Sequence, residues 1–495
     1  MNKIKIGWSE VSLVPEGRKI SLVGQFYERI SDVVETPISV TAMALECGEG
    51  AAVFCSCDLV STAHSLLEDV RAYILEKSPA FPADKLMISA IHTHTSMGYA
   101  RRSDSVGGSS LRVLAELMPN AKYEELVSYR GDDLLDGEEA RAFLVERIAT
   151  AAITAWESRA EGLYATGFGR ATVGMCRRVC YDDGSAKMWG DTDSANFTEL
   201  EGGNDSGIEL MFTYAADKTL TGVVANVACP AQVLEHRSFI SSDYMGKLKG
   251  LLRDKYGKHV HLLGIVSPAG DQCPRDLVRW VEPESPIDDP NIERIDPKYR
   301  RQDPSMFDVS GCARIARRIV TEIEYALADV TEYIADTTLE HKNMIVDLPL
   351  RRVTPAEHAA AKKVIEDFAK EIGNGTINFA DNARMHVHAG TVARFEVQKT
   401  VETVPVEIHV LRLGDLAFAT NPFELFLNYG NQIRARSKAA QTFLVQLCCG
   451  SQGYLPTKKA EQGSHYSAYV SSGSVGHIGG ELLVRKTLAE INSMF

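Results

Sequence analysis

Apolar strand-like runs alternate with amphipathic helical segments along most of this chain, and this alternation limits the folds open to it. The run AAVFCSCDLV at 51–60 is followed by a segment whose apolar residues, at 66, 67, 70 and 74, have helical spacing. The runs IELMFTYA and LTGVVANVAC, between 208 and 229, flank a short polar turn and predict a β-hairpin. The pattern predicts an α/β fold with mixed sheets covered by helices, and no internal repeat is visible.

The length of the chain raises the question of how many domains it forms. Its 495 residues have room for roughly two to four domains. The stretch from about 281 to 309 is rich in proline and charge, as a linker would be. The candidate motifs before and after it, however, are expected to build one site. We therefore predict a single domain over 1–495, with 281–309 as a surface excursion.

The charge and the cysteines bear on partners and compartment. A net charge of −13 argues against nucleic acid or anionic lipid as the main partner. No run of 18 apolar residues occurs, so we expect no membrane span. The N-terminus lacks an apolar signal-peptide core, and the ten cysteines form no disulfide ladder. These features predict a cytoplasmic protein with reduced thiols, or a secreted one if a leader was removed. They leave the oligomeric state open.

Three His-x-His pairs occur, and one of them has the setting of a functional site. His92 and His94 end an apolar strand-like run and are followed by the small, polar sequence TSMG. Residues two apart on a strand share a face, and open α/β sheets bind ligands at the carboxyl ends of their strands. The pair at 259 and 261 lies where a strand begins, and the pair at 386 and 388 lies in polar, loop-like sequence. We therefore expect the site at His92 and His94.

Other segments that leave predicted strands carry chemically competent side chains. Gly270 and Asp271 turn the chain where a sharp loop could expose Cys273. Another strand ends near Cys229. Further candidates are His236, Asp243, Glu424, Tyr454 and Tyr466. Cysteine and histidine are both zinc ligands, whereas the local sequence favours a helix N-terminal cap over metal binding for the carboxylate at 424.

Taken in order, these segments resemble one family. HTHTSMG is similar to the His-Thr-His-Ser-Gly-Pro-Gly signature of neutral/alkaline (non-lysosomal) ceramidases, and GDQCPR resembles their Gly-Asp-Val-Ser-Pro-Asn element. NPFELF resembles their Pro-Gly-Glu element, and GYLPT with Tyr466 resembles their tyrosine-containing segment. The resemblance spans about residues 5 to 470. It implies a ceramidase-like α/β catalytic domain and a zinc-dependent amidase. The chain ends too soon for the C-terminal immunoglobulin-like domain often found in the family.

The resemblance also assigns roles, position by position. It implies one Zn²⁺ ion held by His92, Glu424 and Tyr454, with His94 moving protons. Tyr466 contacts the substrate or the oxyanion. Arg177 is a candidate substrate or intermediate binder, with Arg178 as the alternative.

Two positions depart from the family pattern. The second zinc histidine of the family falls on Cys229, with Asp243 at the position of a following aspartate. Cysteine can bind zinc as a thiolate, and His236 is the alternative ligand. Cys273 stands where the family has a serine proposed to act in catalysis.

The sequence therefore predicts a zinc-dependent hydrolase that cleaves a linear N-acyl amide, small or lipid-like, with a role in lipid metabolism. The substrate could instead be a cyclic amide or an ester. One alternative is a cysteine hydrolase in which Cys273 is the nucleophile and His94 the base. Another is a non-catalytic relative that binds a small or lipid-like ligand. The zinc hypothesis requires loops that are distant in sequence to meet at one edge of the sheet.

Overall fold

The computed structural model describes residues 2–25, 27–99, 108–123, 129, 131–279 and 309–495. The predicted surface excursion at 281–309 lies outside the described residues, except for Val309, which begins a helix.

Twelve strands of five or more residues form the two largest sheets of the described chain. They are β1 Lys5–Ser12, β2 Ser39–Cys47, β3 Gly50–Cys57, β4 Leu86–Ala90, β5 Ala160–Arg170, β6 Gly207–Ala215, β7 Leu220–Val227, β8 His261–Val266, β9 Leu339–Pro349, β10 Thr403–Leu413, β11 Leu416–Thr420 and β12 Gln441–Val445. The eight-stranded sheet has the order β8-β7-β6-β5-β1-β2-β3-β4, and the four-stranded sheet has the order β9-β10-β11-β12. Both sheets combine parallel and antiparallel pairs, so the predicted mixed α/β architecture is confirmed.

The same unit of four strands occurs three times. In each unit three consecutive strands pair antiparallel, and a helix then leads to a fourth strand that pairs parallel with the third. The units are β1 to β4, β5 to β8, and β9 to β12. The first two units are joined where β1 pairs with β5. No sequence repeat revealed this recurrence, because strand pairing depends on the alternation of apolar residues rather than on their identity.

Ten α-helices are present in the described residues. They are α1 His64–Lys77, α2 Gly108–Leu117, α3 Gly137–Glu157, α4 Asp243–Tyr256, α5 Val309–Ala328, α6 Pro355–Ile372, α7 Phe379–Val397, α8 Leu427–Arg436, α9 Lys458–Gly463 and α10 His477–Met494. Helices α1, α4 and α8 are the crossovers of the three units. Helix α3 packs on β1 and β2, α5 on β5, and α10 on β9 and β10. Helices α2, α6 and α7 pack together around a separate apolar cluster.

Short strands of two to four residues complete the set of strands, and the side chains of two buried polar residues join the two large sheets. The short strands are Asn2–Lys3, Lys19–Leu22, Arg29–Ser31, Val34–Thr36, Lys122–Tyr123, Leu134–Leu135, Met175–Cys176, Arg178–Tyr181, Ala186–Met188, Phe197–Leu200, Ile240–Ser241, Gln272–Cys273, Asp336–Thr337, Thr376–Ile377, Glu424–Leu425 and Tyr454–Leu455. The buried amide of Asn226 donates to the carbonyls of Ile265 in the large sheet and Leu444 in the small one. Thr62 likewise donates to Ile88 and Leu447. These bonds tie the two sheets together, because buried polar groups need partners.

Two of the three histidine pairs are now accounted for. His261 begins β8, as predicted, and its ring stacks on Trp8 at 5.5 Å between ring centres. The loop-like interpretation of residues 386 and 388 was wrong, because both lie inside α7. Residues two apart on a helix point to different sides, so this pair does not present its nitrogens together.

Among the described residues, no helix combines the length and the apolar character that crossing a membrane requires.

Candidate active site

The loops that follow the third and fourth strands of each unit meet at one end of the two sheets. Backbone hydrogen bonds join them: Ala231 donates to Ile91 at 3.0 Å, and Gly270 donates to Leu425 at 2.9 Å. Each bond connects loops from different units. The fold thus brings together loops that are distant in sequence. The zinc hypothesis requires such a meeting of strand ends.

His92 and His94 approach each other across a tight turn, not along a strand as predicted. β4 ends at Ala90, and His92 has the left-handed backbone angle φ of 72°. The N–H groups of His92 and Thr93 both donate to the carbonyl of Leu59. The turn brings the two Nε2 atoms within 3.2 Å. A left-handed backbone at a non-glycine residue costs of the order of 1–3 kcal/mol and is typical of functional sites.

His92 has the features of a metal ligand. Its Nδ1 lies 2.7 Å from the carbonyl of Val60, which can only accept, so Nδ1 carries the proton and Nε2 a lone pair. That Nε2 lies 3.5 Å from Oε2 of Glu424. Two ligands bound to one zinc at about 2.0–2.1 Å in tetrahedral geometry lie about 3.4 Å apart. His92 and Glu424 therefore have the spacing of a zinc pair.

Glu424 and Tyr454 are held side by side by a short parallel pairing. They are register partners in the strands Glu424–Leu425 and Tyr454–Leu455. The expectation that the Glu424 carboxylate caps a helix was wrong. Helix α8 begins at Leu427, and the N–H of Leu427 donates to Asp271. The Glu424 carboxylate is thereby left to face His92.

Arg177 connects Tyr454 to the second unit. Its guanidinium donates to the hydroxyl of Tyr454 at 3.2 Å, to Oε1 of Gln232 at 3.2 Å and to the carbonyl of Gly270 at 3.1 Å. Burial alone would lower the pKa of Arg177, but Tyr454, Cys273 and other acidic neighbours raise it further above its usual range. Its Nε is buried with no partner among the described residues. Arg177 thus brings a fixed positive charge with a spare donor.

Glu235 lies on the other side of the histidine pair. Its carboxylate accepts from Gln232 at 2.6 Å, lies 3.2 Å from Nε2 of His236, and lies 3.9 Å from Nδ1 of His94. Burial raises the pKa of Glu235, but the hydrogen bond and charge of His236 and the charge of His94 lower it to about 2. Burial, with a smaller contribution from the charge of His92, lowers the pKa of His94 to about 3. At neutral pH, His94 is therefore a neutral ring beside a carboxylate.

These groups close into a ring of polar side chains around the histidine pair. Its members, in order, are His92, His94, Glu235, Gln232, Arg177, Tyr454 and Glu424. Tyr466 extends the ring, with its hydroxyl 3.4 Å from that of Tyr454 and 41% of its surface exposed.

Cys229 is fully buried two residues beyond the end of β7, and its role as a metal ligand stays a prediction. Its Sγ contacts the carbonyl of Pro230 at 3.5 Å. The carboxylate of Asp243 accepts from the backbone of Leu234 and Tyr244. The alternative ligand His236 lies 3.2 Å from Glu235 through its Nε2, and its Nδ1 lies 3.5 Å from the hydroxyl of Tyr27.

Cys273 is fully buried, so the expectation that a sharp loop exposes it was wrong. It pairs with Met175 in a short antiparallel ladder, and its thiol donates to the carbonyl of Arg275 at 3.3 Å. Burial raises the pKa of this thiol to about 11, even though Arg177 lowers it. A thiol of this kind is a weak nucleophile at neutral pH.

Arg178 supports the loop that carries Tyr466. Its side chain is buried, donates to Glu201 at 2.9 Å, and donates to the carbonyls of Ser464 and Tyr466 at 2.9 and 3.0 Å. Of the two adjacent arginines, Arg177 therefore faces the ring, and Arg178 holds the backbone beside it.

Sequence reasoning missed Gln232, Glu235, Arg29 and Gly24. Arg29 is buried and donates to four backbone carbonyls, including those of His94 and Glu235. Gly24, at φ +97°, approaches so closely that an added Cβ would lie 2.4 Å from Nδ1 of His94. Only Glu235 carried a local signal, since it adjoins a candidate histidine. The others act through contacts that no spacing reveals.

Comparison with known proteins supports the fold. No protein-family model and no curated protein matches the sequence. The crystal structure of neutral ceramidase from Pseudomonas aeruginosa is similar, with a TM-score of 0.68, 14% identity, and coverage of 100% of this chain and 75% of that one. A ceramidase complexed with C2 gives a TM-score of 0.65 at 12% identity, with coverage of 100% and 75%. This chain therefore has a ceramidase-like fold with a strongly diverged sequence.

Proposed function

We propose that this chain, built on a ceramidase-like fold, is a zinc-dependent hydrolase that cleaves a linear N-acyl amide, small or lipid-like. One observation carries the proposal: Nε2 of His92 lies 3.5 Å from Oε2 of Glu424, while its Nδ1 is fixed by Val60. Tyr454, the register partner of Glu424, provides the third ligand. Three protein ligands with one open position are the usual arrangement of a catalytic zinc.

When bound, zinc polarises the amide carbonyl and lowers the pKa of a bound water to about 7. His92, Glu424 and Tyr454 would hold the ion. With Nε2 of His92 committed to it, the proton of His94 belongs on Nδ1, which faces Glu235 at 3.9 Å. Nε2 of His94 then presents a lone pair that accepts the proton of the attacking water and passes it to the leaving amine.

Charge that develops on the amide oxygen needs donors already in position. Arg177 has an unpartnered Nε, and its positive charge lies beside Tyr454. The hydroxyl of Tyr466 lies 3.4 Å from that of Tyr454 and is the second donor that we assign to the oxyanion. Fixed donors of this kind stabilise an oxyanion without reorganisation.

The cysteine-hydrolase alternative has less support. Cys273 is buried, its thiol is bonded to the carbonyl of Arg275, and its pKa is raised to about 11 by burial. A nucleophilic cysteine normally has a lowered pKa and an accessible sulfur.

The test is hydrolysis of a substrate panel by the purified protein. The panel contains a short-chain ceramide, an N-acyl amino acid, an N-acyl ethanolamine and an ester of equal chain length. We expect at least one amide to be cleaved, with the rate falling about a hundredfold on chelation and returning with Zn²⁺. Activity that resists chelation and is lost with iodoacetamide would instead support the cysteine hydrolase. A metal-free protein that cleaves nothing would support the non-catalytic relative.

Gly24 offers a test of the role of His94. In Gly24→Ala the new methyl group must push the imidazole away, since their separation would be 2.4 Å. We expect kcat/KM to fall about 10- to 100-fold, as displacement of a catalytic group by about 1 Å does. Gly17→Ala is the matched control, because Gly17 is also left-handed, at φ +65°, but nothing lies within 4 Å of its added Cβ. Equal activity of the two variants would contradict the role.

A further inference from the structure

A second cluster of metal-binding side chains lies outside the ring of the candidate active site. Glu407 and His409 point from the same face of β10, and Cys449 lies on the turn that follows β12. All three are buried, and their ligand atoms lie within 4.8 Å of one another. None of them takes part in the mechanism proposed above.

The hydrogen bonds of His409 leave one nitrogen to be explained. His341 donates from Nδ1 to the carbonyl of Ala51 at 3.0 Å, because a carbonyl only accepts. Nε2 of a neutral His341 is then an acceptor, so His409 donates to it from Nδ1 at 2.8 Å. Nε2 of His409 therefore faces Glu407 at 2.7 Å either as the second N–H of an imidazolium or as a free ligand atom.

We propose that Glu407, His409 and Cys449 form a second metal site, which takes a thiophilic divalent cation of the zinc type. Thiolate, imidazole and carboxylate together select such an ion over Mg²⁺ or Ca²⁺. The ion takes the place of the proton on Nε2 of His409, which leaves to solvent, and Cys449 binds the ion as a thiolate.

The surroundings of the cluster are those of a supported metal site. The relay from His409 through His341 to Ala51 fixes the tautomer that leaves Nε2 free. Arg71 pairs with both oxygens of Glu407 at 2.6 and 3.0 Å, which orients the carboxylate and balances its charge. The backbone at Cys449 is left-handed, at φ +60°, so the turn is held in a strained form that aims the thiol at the cluster.

The role of such an ion is structural. Cys449 lies on the turn that leads to Tyr454, and its backbone N–H donates to Ile88 of β4. An ion bound to Cys449 and to β10 would fasten this turn, and with it the tyrosine side of the ring. The site would thus act on the active site through position alone.

The test measures metal content and cobalt spectra of the full-length protein. Relative to the native protein, Cys449→Ser should lose one equivalent of metal, whereas Cys448→Ser, whose sulfur lies 3.7 Å from that of Cys449, should lose none. In the Co²⁺-substituted protein, the thiolate-to-cobalt charge-transfer band should disappear in Cys449→Ser and persist in His92→Asn and Cys229→Ser. Metal content unchanged by Cys449→Ser, or a band lost in Cys229→Ser, would overturn the proposal.

X-ray absorption covers the case in which Cys449→Ser does not fold. The zinc edge of the native protein should show a sulfur neighbour at about 2.3 Å, and Cys229→Ser should retain it. Absence of sulfur in the native protein would overturn the second site. His92 is not part of the second site. If the proposed hydrolase is wrong, His92→Asn will show it, whereas the sulfur signal of the second site will be unaffected.

Discussion

Replacing His92 with asparagine should lower kcat/KM for the proposed amide substrate by about a thousandfold or more, because the proposed catalytic ion would contribute several kcal/mol to transition-state stabilisation. Asparagine tolerates the left-handed backbone found at this position, with φ of 72°, so the turn should survive. It lacks the imidazole nitrogen that faces Glu424 at 3.5 Å. Steady-state kinetics and metal analysis of the same preparation measure both effects, and loss of one equivalent of metal should accompany the loss of rate.

Two companion variants make this result specific. Glu424→Gln removes the neighbouring ligand charge and should resemble His92→Asn. His236→Ala removes a histidine that lies 3.2 Å from Glu235. Because His236 is not one of the three proposed ligands, this variant should keep the metal and most of the activity. If His236→Ala lost the metal while His92→Asn kept it, the ligand assignment would be wrong, and the loop of the second unit would supply the ligand.

Arg29→Met should strongly destabilise the fold. Its two terminal nitrogens donate at 2.7–2.8 Å to the backbone carbonyls of Val23, His94, Glu235 and Arg237. An unsatisfied buried acceptor costs about 1–3 kcal/mol, so four predict a loss of about 4 kcal/mol or more in the free energy of unfolding. Lysine should not rescue the position, because a single ammonium cannot reach four carbonyls that a guanidinium fork spans.

Urea denaturation followed by circular dichroism measures this effect. Arg18→Met is the control, because Arg18 also binds two backbone carbonyls but is only half-buried. It should cost less than about 2 kcal/mol, since water replaces the lost donors. A similar midpoint for both variants would show that Arg29 does not brace the histidine loop.

The pattern of strands and helices could be predicted because it depends on local periodicity. The β6–β7 hairpin is an example, since its apolar alternation and polar turn are both contiguous in sequence. The pair at 386 and 388 shows the limit: the two half-buried histidines lie between Met385, Ala389 and Val392, whose helical spacing was missed because the rest of the segment is polar. The position of His92 at a strand end was also readable, but its turn was not, because Leu59 creates it from another loop.

Only some residues of the candidate site could be predicted from the sequence. His92, Glu424 and Tyr454 were found through motifs, which preserve residues whose chemistry admits few replacements. Gln232 and Glu235 belong to the same ring, but their roles depend on Arg177 and His94, which reach them from other segments. Such contacts follow from packing between units, and packing cannot be derived from spacing along the chain.

The threefold recurrence of the four-stranded unit has a consequence for dissecting the protein. The first unit brings His92, the second brings Glu235, and the third brings Glu424 and Tyr454, so no unit holds enough of the site to work alone. A chain cut between β8 and β9 should therefore yield two inert fragments. Activity should return only when the fragments reassociate, and enzyme complementation rather than truncation is the way to map this fold.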